Sequence, residues 1–559
     1  MIPLLFLAGV SGLAVMPFFR WGSPSGHDFE FHMCSWMDVL SQWQQGIVYP
    51  RWAVFAHWGY GEARFLFYPP GSWTLGAALG AILPWKVVPG AYCWVVLTAS
   101  GATMYALARH WLRPADALFA AAFYAVNPYH LLIVYWRSAY AELLAAILVP
   151  LSLLCLMRLR RGGLRPILWL SLTMAGAWLA NIPAAVMIHY SVAGIAALLA
   201  IQEKSARPLL KTGLAVLIGA GLASFFLVPA IYEQSWINIA ALMSPGVTPR
   251  DNFLFTTIPD ADHNRFNLLV SVMASSAIAA MVFAAWSART SQDNDPVTEF
   301  RVKNDQIDPL SWMLLVAWGA TAAFMMFPVS NPLWKYLPKF RFVQLPFRWL
   351  LCLNAPLAVL LAAATDRSRL RSTVKSWAVR AIMYALLLTV LFVAGQRIQP
   401  PWWDLSGDIQ EMADAISDGT GYEGTDEYVP ADADPYEINK ALPQVSDENG
   451  SPIDVRKMEW GATEKHFDLR ADLAENLTLR LFNYPAWKVT VNGKPTQTMT
   501  SEVTGLMIVP VKAGENEIRV SFTRSPDRLK GEIISVVSLG VFAAIWIKTR
   551  SPRAKRSAA

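Results

Sequence analysis

Long apolar stretches recur along most of the chain and are separated by short polar segments. A helix needs roughly 20 mostly apolar residues to cross the hydrocarbon core of a bilayer. The pattern therefore predicts a mainly α-helical protein, a polytopic bundle of about 12–13 transmembrane helices. The candidate spans are residues 2–19, 70–85, 88–108, 116–134, 141–157, 167–181, 184–201, 211–231, 267–286, 310–328, 349–365, 378–395 and 530–547.

The stretch 70–85 differs from the others. It opens with a Pro-Pro-Gly sequence and is followed by two further prolines. If it crossed the membrane fully, the basic residues Arg109 and Arg113 could not be inside while the 20–69 loop is outside. We therefore expect a short, re-entrant or interfacial segment whose backbone is covered by protein.

The hydrophobic pattern changes near residue 396. A long polar and acidic segment is followed by strict alternation at residues 477–481, 487–491 and 517–522, and Asn492-Gly493 is a strong hairpin signal. This pattern predicts a small antiparallel β-sandwich. The predicted domains are a transmembrane module at 1–395 with a first external loop at 20–69, an extracytoplasmic domain at 396–528 that is β-rich in its second half, and a last transmembrane helix with a basic tail at 529–559.

Composition agrees with a membrane protein. Hydrophobic residues make up 54% of the chain and charged residues 16%, against roughly 25% charged residues in ordinary soluble domains. The four cysteines lie far apart and lack the spacing of a zinc site.

The basic residues predict the orientation. Short loops rich in lysine and arginine mark the cytoplasmic side, and the tail from Lys548 falls on that side if the segment 396–528 is outside. We expect a multi-pass protein of the cytoplasmic (plasma) membrane, with the N-terminus and C-terminal tail cytoplasmic and the first loop and β-domain outside. The basic loops used here are residues 158–165, 204–211 and 367–375.

The first loop carries the most informative polar residues. The sequence Gly-His-Asp-Phe-Glu-Phe-His at 26–32 contains four ionisable groups. On a helix Asp28 and His32 would be neighbours, whereas Glu30 would point to another face. Asp28 could act as a general base or bind a metal ion, with His32 orienting it or sharing the metal. The alternative is that Asp28 is only the N-cap of the helix.

That helix is predicted to be amphipathic. Phe29, Met33, Trp36 and Leu40 follow one another at helical spacing and form an apolar stripe. Such a stripe is typical of a helix that lies on the membrane surface.

Two further sites carry charge where charge is costly. Glu142 lies at the outer edge of an apolar span, where acidic groups are usually functional or paired; the alternative is a local pair with Arg137. Lys339, Arg341 and Arg348 lie in a loop expected outside, against the positive-inside rule, and this favours an anionic partner such as a lipid phosphate. Their alternative role is snorkelling to lipid head groups.

Several common motifs are missing. The sequence has no P-loop, no dinucleotide-binding fingerprint, no G-x-S-x-G elbow, no H-E-x-x-H pair and no nucleic-acid-binding module. ATP-driven transport and hydride transfer therefore lose support, and no nucleic-acid partner is expected.

Three sets of residues carry a resemblance to known membrane proteins. They are, first, Asp28 with Glu30, Tyr68-Pro69-Pro70 and Glu142; second, residues 26–32, 46–52, 59–61 and 67–70; and third, residues 344–348, 483–488 and 492–494. The first set resembles the GT-C superfamily of polytopic glycosyltransferases, which use polyprenyl-phosphate-linked sugars. The second set is a closer resemblance, to bacterial membrane proteins called 6-pyruvoyl-tetrahydropterin synthase-related, although the histidine zinc triad of a soluble pterin synthase is not evident here. The third set, in the C-terminal half, resembles YfhO-type proteins.

The resemblance implies an enzyme, an integral membrane glycosyltransferase. It would move a sugar, with inversion, from a polyprenyl-phosphate donor to an extracytoplasmic acceptor, which is a cell-envelope glycan, lipid or protein. The implied catalytic residues are Asp28, Glu30 and Glu142, the implied substrate- and phosphate-binding residues are His32, Arg137, Lys339, Arg341 and Arg348, and Asp28 with Glu142 could hold Mg or Mn. Many GT-C enzymes carry Asp-Asp, Asp-Glu or Asp-x-Asp in this loop, where this chain has Asp-Phe-Glu.

Two other classes of function stay open. One is a membrane transporter or lipid flippase, which would also have buried charges and basic outer loops. The other is a non-catalytic membrane scaffold with an external β-domain. Both are weaker, because neither explains acidic residues at two separate outer membrane edges.

Overall fold

The computed structural model describes residues 1–160, 163–290, 307–365, 373–431 and 433–550. Most of this chain is helical, and prolines in the first turn begin many of the helices, where a missing N–H costs nothing. The α-helices are Ile2–Val15, Phe18–Trp21, Phe29–Gln44, Ala56–Gly59, Arg64–Phe67, Pro70–Gly80, Val88–Ala108, Pro114–Ala125, Pro128–Leu132, Tyr140–Ala145, Leu148–Leu159, Arg165–Ala180, Ile182–Gln202, Arg207–Leu222, Ser224–Tyr232, Ala261–Thr290, Pro309–Phe324, Asn331–Tyr336, Leu350–Ala364, Thr373–Ile398, Ser406–Ser417 and Pro526–Arg550.

The transmembrane bundle is confirmed, with fewer spans than the sequence suggested. Within the described residues, 9 helices are long and apolar enough to cross a membrane, or up to 11 if two bent helix pairs each form one span. The described residues thus hold fewer such helices than the roughly 12–13 expected. The basic residues at 366–372 and 551–559, which contributed to the predicted orientation, lie outside the described residues.

Two of the expected spans are too short. Pro70–Gly80 has 11 residues and Arg165–Ala180 has 16, which correspond to about 17 and 24 Å at 1.5 Å per residue. A short segment at 70–85 is what the prolines and the charge count predicted. The apolar run at 167–181 gave no such warning, because a buried helix and a transmembrane helix have similar composition.

The predicted helix after residue 28 is present as Phe29–Gln44. Its predicted apolar stripe is buried or half-buried. The helix packs against Pro70–Gly80 and Ser406–Ser417. Protein, rather than a membrane surface, therefore covers the apolar face.

The C-terminal part forms the expected antiparallel β-sandwich. One sheet has the strand order Val445–Ser446, Glu475–Phe482, Leu506–Val511 and Met499–Thr500, and the other has the order Val455–Trp460, Glu464–Ala471, Gly514–Phe522, Trp487–Val491 and Lys494–Thr496. Phe467, Leu477 and Ile518 are fully buried between the sheets. The strands are β1 Ser23–Pro24, β2 Trp403–Asp404, β3 Val445–Ser446, β4 Val455–Trp460, β5 Glu464–Ala471, β6 Glu475–Phe482, β7 Trp487–Val491, β8 Lys494–Thr496, β9 Met499–Thr500, β10 Leu506–Val511 and β11 Gly514–Phe522.

The β-sandwich and the segment before it pack directly on the first loop. The Trp52 ring lies 5.8 Å from the Trp487 ring. The Tyr60 hydroxyl donates to the Asn439 carbonyl oxygen at 2.7 Å. In addition, β1 pairs with β2, which joins the start of the first loop to residues 403–404. The first loop and the β-domain therefore lie at the same end of the helical bundle.

Candidate functional site

Four side chains from separate turns form a buried cluster, which we call the arginine–glutamate cluster: Tyr129, Arg137, Glu142 and Arg348. Glu142 is only 1% exposed, and its Oε2 accepts hydrogen bonds from Arg137 Nη1 at 2.6 Å and Arg348 Nε at 3.2 Å. The Tyr129 hydroxyl donates to Glu142 Oε1. The local Arg137–Glu142 pair considered from the sequence is therefore real, but a second arginine more than 200 residues away completes it.

Local backbone geometry positions the two arginines. Arg137 ends a π-helical turn, Ile133–Arg137, and the next residue, Ser138, is left-handed with φ 49° and ψ 30°. Short π-helical turns are rare in proteins overall, and those that occur often lie at functional sites. Arg348 lies in a 3₁₀ turn, Pro346–Trp349, and its Nη1 donates to the Val343 carbonyl oxygen at 2.8 Å. No partner of Arg348 Nη2 is found among the described residues, and the side chain is 12% exposed.

Asp28 adjoins this cluster through its backbone. The Asp28 N–H donates to the Arg137 carbonyl oxygen at 2.9 Å. Asp28 occupies the N-cap position of the helix Phe29–Gln44, but its side chain makes no capping hydrogen bond. Its carboxylate instead accepts from His27 Nδ1 at 3.1 Å and stays 34% exposed. Helix capping therefore does not explain this aspartate.

The charges around Asp28 keep it ionised. Burial alone would raise its pKa, but the hydrogen bond from His27 and the positive charges of His27 and Arg137 hold the pKa well below its usual range. Tyr68 responds in the opposite way, since burial and then the negative charge of Asp28 raise its pKa well above the usual value. The site thus offers a carboxylate and a protonated phenol side by side.

The other acidic residue of the sequence 26–32 lies apart. Glu30 is exposed, and its pKa is raised by partial burial and by the negative charges of Glu423 and Asp404. Because residues 29–44 are helical, Glu30 and Asp28 point in different directions. The structure brings Asp28 together with the arginines and leaves Glu30 outside.

His32 lies beneath Asp28 in an aromatic environment. It is 1% exposed, its Nδ1 is 3.3 Å from Ser72 Oγ, and its ring centroid is 5.3 Å from that of Tyr140. Burial lowers its pKa to about 4, so the imidazole is neutral at physiological pH. A neutral, enclosed imidazole is poorly suited to bind phosphate as a cation.

Lys339 and Arg341 are at the surface. Both are exposed, and both lie over the ring of Phe342, at 5.2 and 5.3 Å from its centroid. No contact between either cation and the arginine–glutamate cluster is found in the described part of the chain. Of the three basic residues predicted in this loop, only Arg348 reaches the cluster.

The two expected metal ligands, Asp28 and Glu142, both have positively charged neighbours that compete with a metal ion. Both oxygens of Glu142 already accept hydrogen bonds from the cluster, and the neighbours of Asp28 are cationic. Elsewhere in the described residues, His466, Asp468 and Glu517 lie close enough to share an ion. That group is on the outer face of β5 and β11, where Arg519 already donates to Glu517 at 2.7 Å.

Two residues of the site were not found from the sequence. Tyr129 is 13 positions before Glu142 and belongs to a different helix, so no spacing pattern connects them. Ser138 stands between two predicted residues, but its left-handed backbone has no sequence signal, since this conformation is typical of glycine and asparagine. Tyr68 was part of a recognised motif, without a predicted role.

The fold and this site define a polytopic membrane protein with a buried charged cluster beside the first loop. Residues 65–398 match the model of the 6-pyruvoyl-tetrahydropterin synthase related domain, a membrane protein family. The match covers more than half of the chain, and the chain belongs to this family. No curated protein matches the sequence.

Two solved structures align with about three quarters of this chain at low sequence identity. The arabinofuranosyltransferase AftD from Mycobacteria is 16% identical, with a TM-score of 0.44 over 74% of this chain and 28% of that one. The archaeal oligosaccharyltransferase AglB from Archaeoglobus fulgidus, solved with an inhibitory peptide and a dolichol-phosphate, is 12% identical, with a TM-score of 0.40 over 76% of this chain and 56% of that one. This chain spans less than a third of AftD and little more than half of AglB.

Proposed function

We propose that this protein is a glycosyltransferase that moves a sugar from a polyprenyl-phosphate donor to an acceptor hydroxyl of the cell envelope. The observation that carries the proposal is the juxtaposition of an ionised, partly exposed carboxylate, Asp28, with two guanidinium groups, Arg137 and Arg348. Sugar transfer from a lipid phosphate needs both kinds of group, a hydrogen-bond acceptor for the attacking hydroxyl and positive charge for the leaving phosphate.

The proposed reaction is a single displacement. The acceptor oxygen forms a bond to the anomeric carbon as the bond between that carbon and the phosphate oxygen breaks. The electron pair leaves with the polyprenyl phosphate, and the acceptor proton passes to Asp28. Attack from the face opposite the phosphate inverts the anomeric configuration. Because its pKa is low, Asp28 is a weak base that takes the proton only as bond formation makes the hydroxyl acidic.

Arg348 is the principal phosphate-binding residue in this proposal. Its Nη2 has no partner within the described residues, while its Nε and Nη1 are fixed by Glu142 and Val343. A guanidinium held at two nitrogens donates from the third at low entropic cost. Glu142 therefore acts by orienting the two arginines, since its own oxygens are already engaged.

The proposal does not need a metal ion. Arg137 and Arg348 supply the positive charge that Mg or Mn would supply to the leaving phosphate. Binding an ion between Asp28 and Glu142 would require Glu142 to release its hydrogen-bond donors. We expect activity to persist after treatment with a chelator.

The β-domain is the candidate site for the acceptor or a partner protein. It packs on the first loop, which places it at the same end of the bundle as Asp28.

The test is sugar transfer by the purified chain in lipid nanodiscs, using radiolabelled polyprenyl-phosphate sugars and an envelope fraction as acceptor. We expect Asp28→Asn to lose at least about 100-fold in kcat, since a positioned base contributes roughly 10²–10⁴-fold. Glu30→Gln, an exposed acid two positions away, is the matched control and should stay within about twofold of wild type.

Three results would overturn the proposal. Equal transfer by Asp28→Asn and wild type would remove Asp28 from the chemistry. Lack of transfer from every donor, in folded protein, together with Asp28-independent movement of labelled lipid across the bilayer, would favour a transporter or flippase. Lack of both activities would favour a scaffold.

A further inference from the structure

One serine ties the short segment that leads to Asp28 to the backbone beside Arg137, in addition to the pairing of β1 with β2. Ser138 Oγ accepts a hydrogen bond from the Gly26 N–H at 3.0 Å and donates one to the Pro24 carbonyl oxygen at 2.9 Å. The side chain thus uses its donor and an acceptor on the same stretch of backbone. Ser138 is fully buried, so water cannot replace these bonds without a rearrangement.

The backbone next to Ser138 contributes the third bond. The Arg137 carbonyl oxygen accepts from the Asp28 N–H at 2.9 Å. That carbonyl group is directed by the π-helical turn before it and by the left-handed backbone of Ser138. A left-handed serine is strained and persists only where its surroundings require it.

Gly26 is needed for the same contact. A Cβ at residue 26 would lie 2.5 Å from the Arg137 carbonyl carbon and 2.6 Å from the Ser138 nitrogen. No side chain fits at that distance. The segment 24–28 therefore lies directly on the backbone of residues 136–138, and we call this contact the Ser138 clamp.

We propose that Ser138 is a positioning residue that sets Asp28 against Arg137, and that the Ser138 clamp holds the catalytic carboxylate at a fixed distance from the phosphate-binding arginines. This inference rests on the proposed function. No other hydrogen bond in the described residues ties Asp28 to the arginines, because its carboxylate contacts only His27. Arg137 and Glu142, on either side of Ser138, are instead held by the arginine–glutamate cluster.

His27 lies within the clamped segment 24–28 and moves together with Asp28. Of the other groups that act on Asp28, His32 is in the helix Phe29–Gln44, Tyr68 comes from the end of the first loop, and Arg348 comes from the turn Pro346–Trp349. If the clamp loosens, Asp28 moves away from Arg137 and its carboxyl group becomes easier to protonate.

The first test does not depend on activity. Hydrogen–deuterium exchange is measured by mass spectrometry on the full chain in nanodiscs, comparing wild type, Ser138→Ala and Ser152→Ala. We expect peptides covering residues 24–29 to exchange at least about fivefold faster in Ser138→Ala. Ser152, another buried serine whose hydroxyl donates only within its own helix, serves as the control and should leave that peptide unchanged. Equal exchange in wild type and Ser138→Ala would overturn the clamp.

The second test uses the sugar-transfer assay. We expect Ser138→Ala to lower kcat roughly 10- to 100-fold, with the KM for the lipid donor within about threefold of wild type, since Arg348 is untouched. The acid limb of the pH–rate profile should move to higher pH. Ser138→Gly removes the hydroxyl but relieves the left-handed strain, and it should behave like Ser138→Ala.

The outcomes separate the two proposals. If wild type transfers sugar and Ser138→Ala keeps its kcat and acid limb, Ser138 does not position Asp28. If Ser138→Gly restores wild-type kcat, the backbone and not the hydroxyl matters, which also contradicts the inference. If wild type transfers no sugar but the exchange result is positive, the proposed function fails while the clamp stands.

Discussion

At the scale of single residues, the role of each charge is decided by its partners. Asp28 and Glu30 are two positions apart and chemically alike. Asp28 nevertheless hydrogen-bonds to the backbone of Arg137, whereas Glu30 lies near two other acidic residues, Glu423 and Asp404. The sequence could show that both were present and that a helix would separate them. It could not show that Arg348 would reach Glu142, because that contact joins residues 206 positions apart.

Glu142 and Glu233 allow a matched comparison. Both are buried, and each accepts from one tyrosine hydroxyl and from arginine, Glu233 from Tyr484 and Arg528. We expect Glu142→Gln and Glu233→Gln to lower the melting temperature by similar amounts, because each leaves an arginine poorly compensated. Only Glu142→Gln should also reduce sugar transfer per folded molecule, by at least about tenfold, because it releases Arg348.

The measurement is kcat per folded molecule beside thermal unfolding for both variants. Equal activity of the two variants would show that the arginine–glutamate cluster is structural. It would then give no support to a role of Glu142 in orienting Arg348.

At the scale of elements, regular patterns predicted well and irregular backbone did not. The long apolar runs gave the membrane helices, and Asn492-Gly493 gave the turn between β7 and β8, where both residues have positive φ, 52° and 73°. The π-helical turn Ile133–Arg137 and the left-handed Ser138 had no such signal, because tertiary contacts rather than local preference stabilise them. The site is built from these irregular pieces.

A buried charge pair holds the first loop to the segment before the β-sandwich. Glu62 is fully buried. Its Oε1 accepts a hydrogen bond from Arg64 Nε at 2.5 Å, and its Oε2 accepts one from the Thr425 N–H at 2.8 Å. Burial would raise the pKa of Glu62, but the charge of Arg64 and the bonds from His57 and Thr425 lower it to about 2.

The lowered pKa predicts how stability depends on pH. A carboxyl group with a lowered pKa stabilises the folded state above its unfolded value, near 4.5, and this stabilisation is lost as pH falls toward 2. Glu62→Gln should therefore have a lower free energy of unfolding than wild type at pH 7, by a few kcal/mol, since each pKa unit corresponds to about 1.4 kcal/mol. It should accordingly unfold at a lower temperature. The difference should shrink below about pH 4.5.

Thermal unfolding between pH 7 and pH 3 checks this expectation, with Glu30→Gln as the exposed control. A constant difference between Glu62→Gln and wild type across that range would show that the charge of Glu62 does not stabilise the fold.

At the scale of the whole molecule, the β-domain packs on the first loop, which is the loop that carries Asp28. Trp52 of the first loop packs against Tyr484 and Trp487, which are more than 400 positions away. The sequence predicted both domains and placed both outside, but composition and periodicity carry no information about contacts at that distance. Aromatic packing at this interface fixes the two parts together.

Cysteine labelling tests this arrangement in the membrane. The four native cysteines are buried, so single cysteines introduced at exposed positions can be labelled selectively. We expect Glu30→Cys and Ser451→Cys to react with an impermeant maleimide in intact cells, and Lys204→Cys to react only after permeabilisation. Opposite accessibility of residues 30 and 451 would contradict the packing, and inside accessibility of both would reverse the predicted orientation.

The central claim is that Asp28 and Arg348 act on one reacting molecule, and a double-mutant cycle tests it most directly. The measurement is kcat/KM for transfer from a polyprenyl-phosphate sugar by wild type, Asp28→Asn, Arg348→Gln and the double variant, with Arg341→Gln as the control for a surface arginine. We expect each single variant to lose at least about 100-fold and the double variant to be within about threefold of the worse single, because groups that act as a unit are not additive. Full multiplication of the two losses, or an Arg348→Gln variant no weaker than Arg341→Gln, would contradict the account.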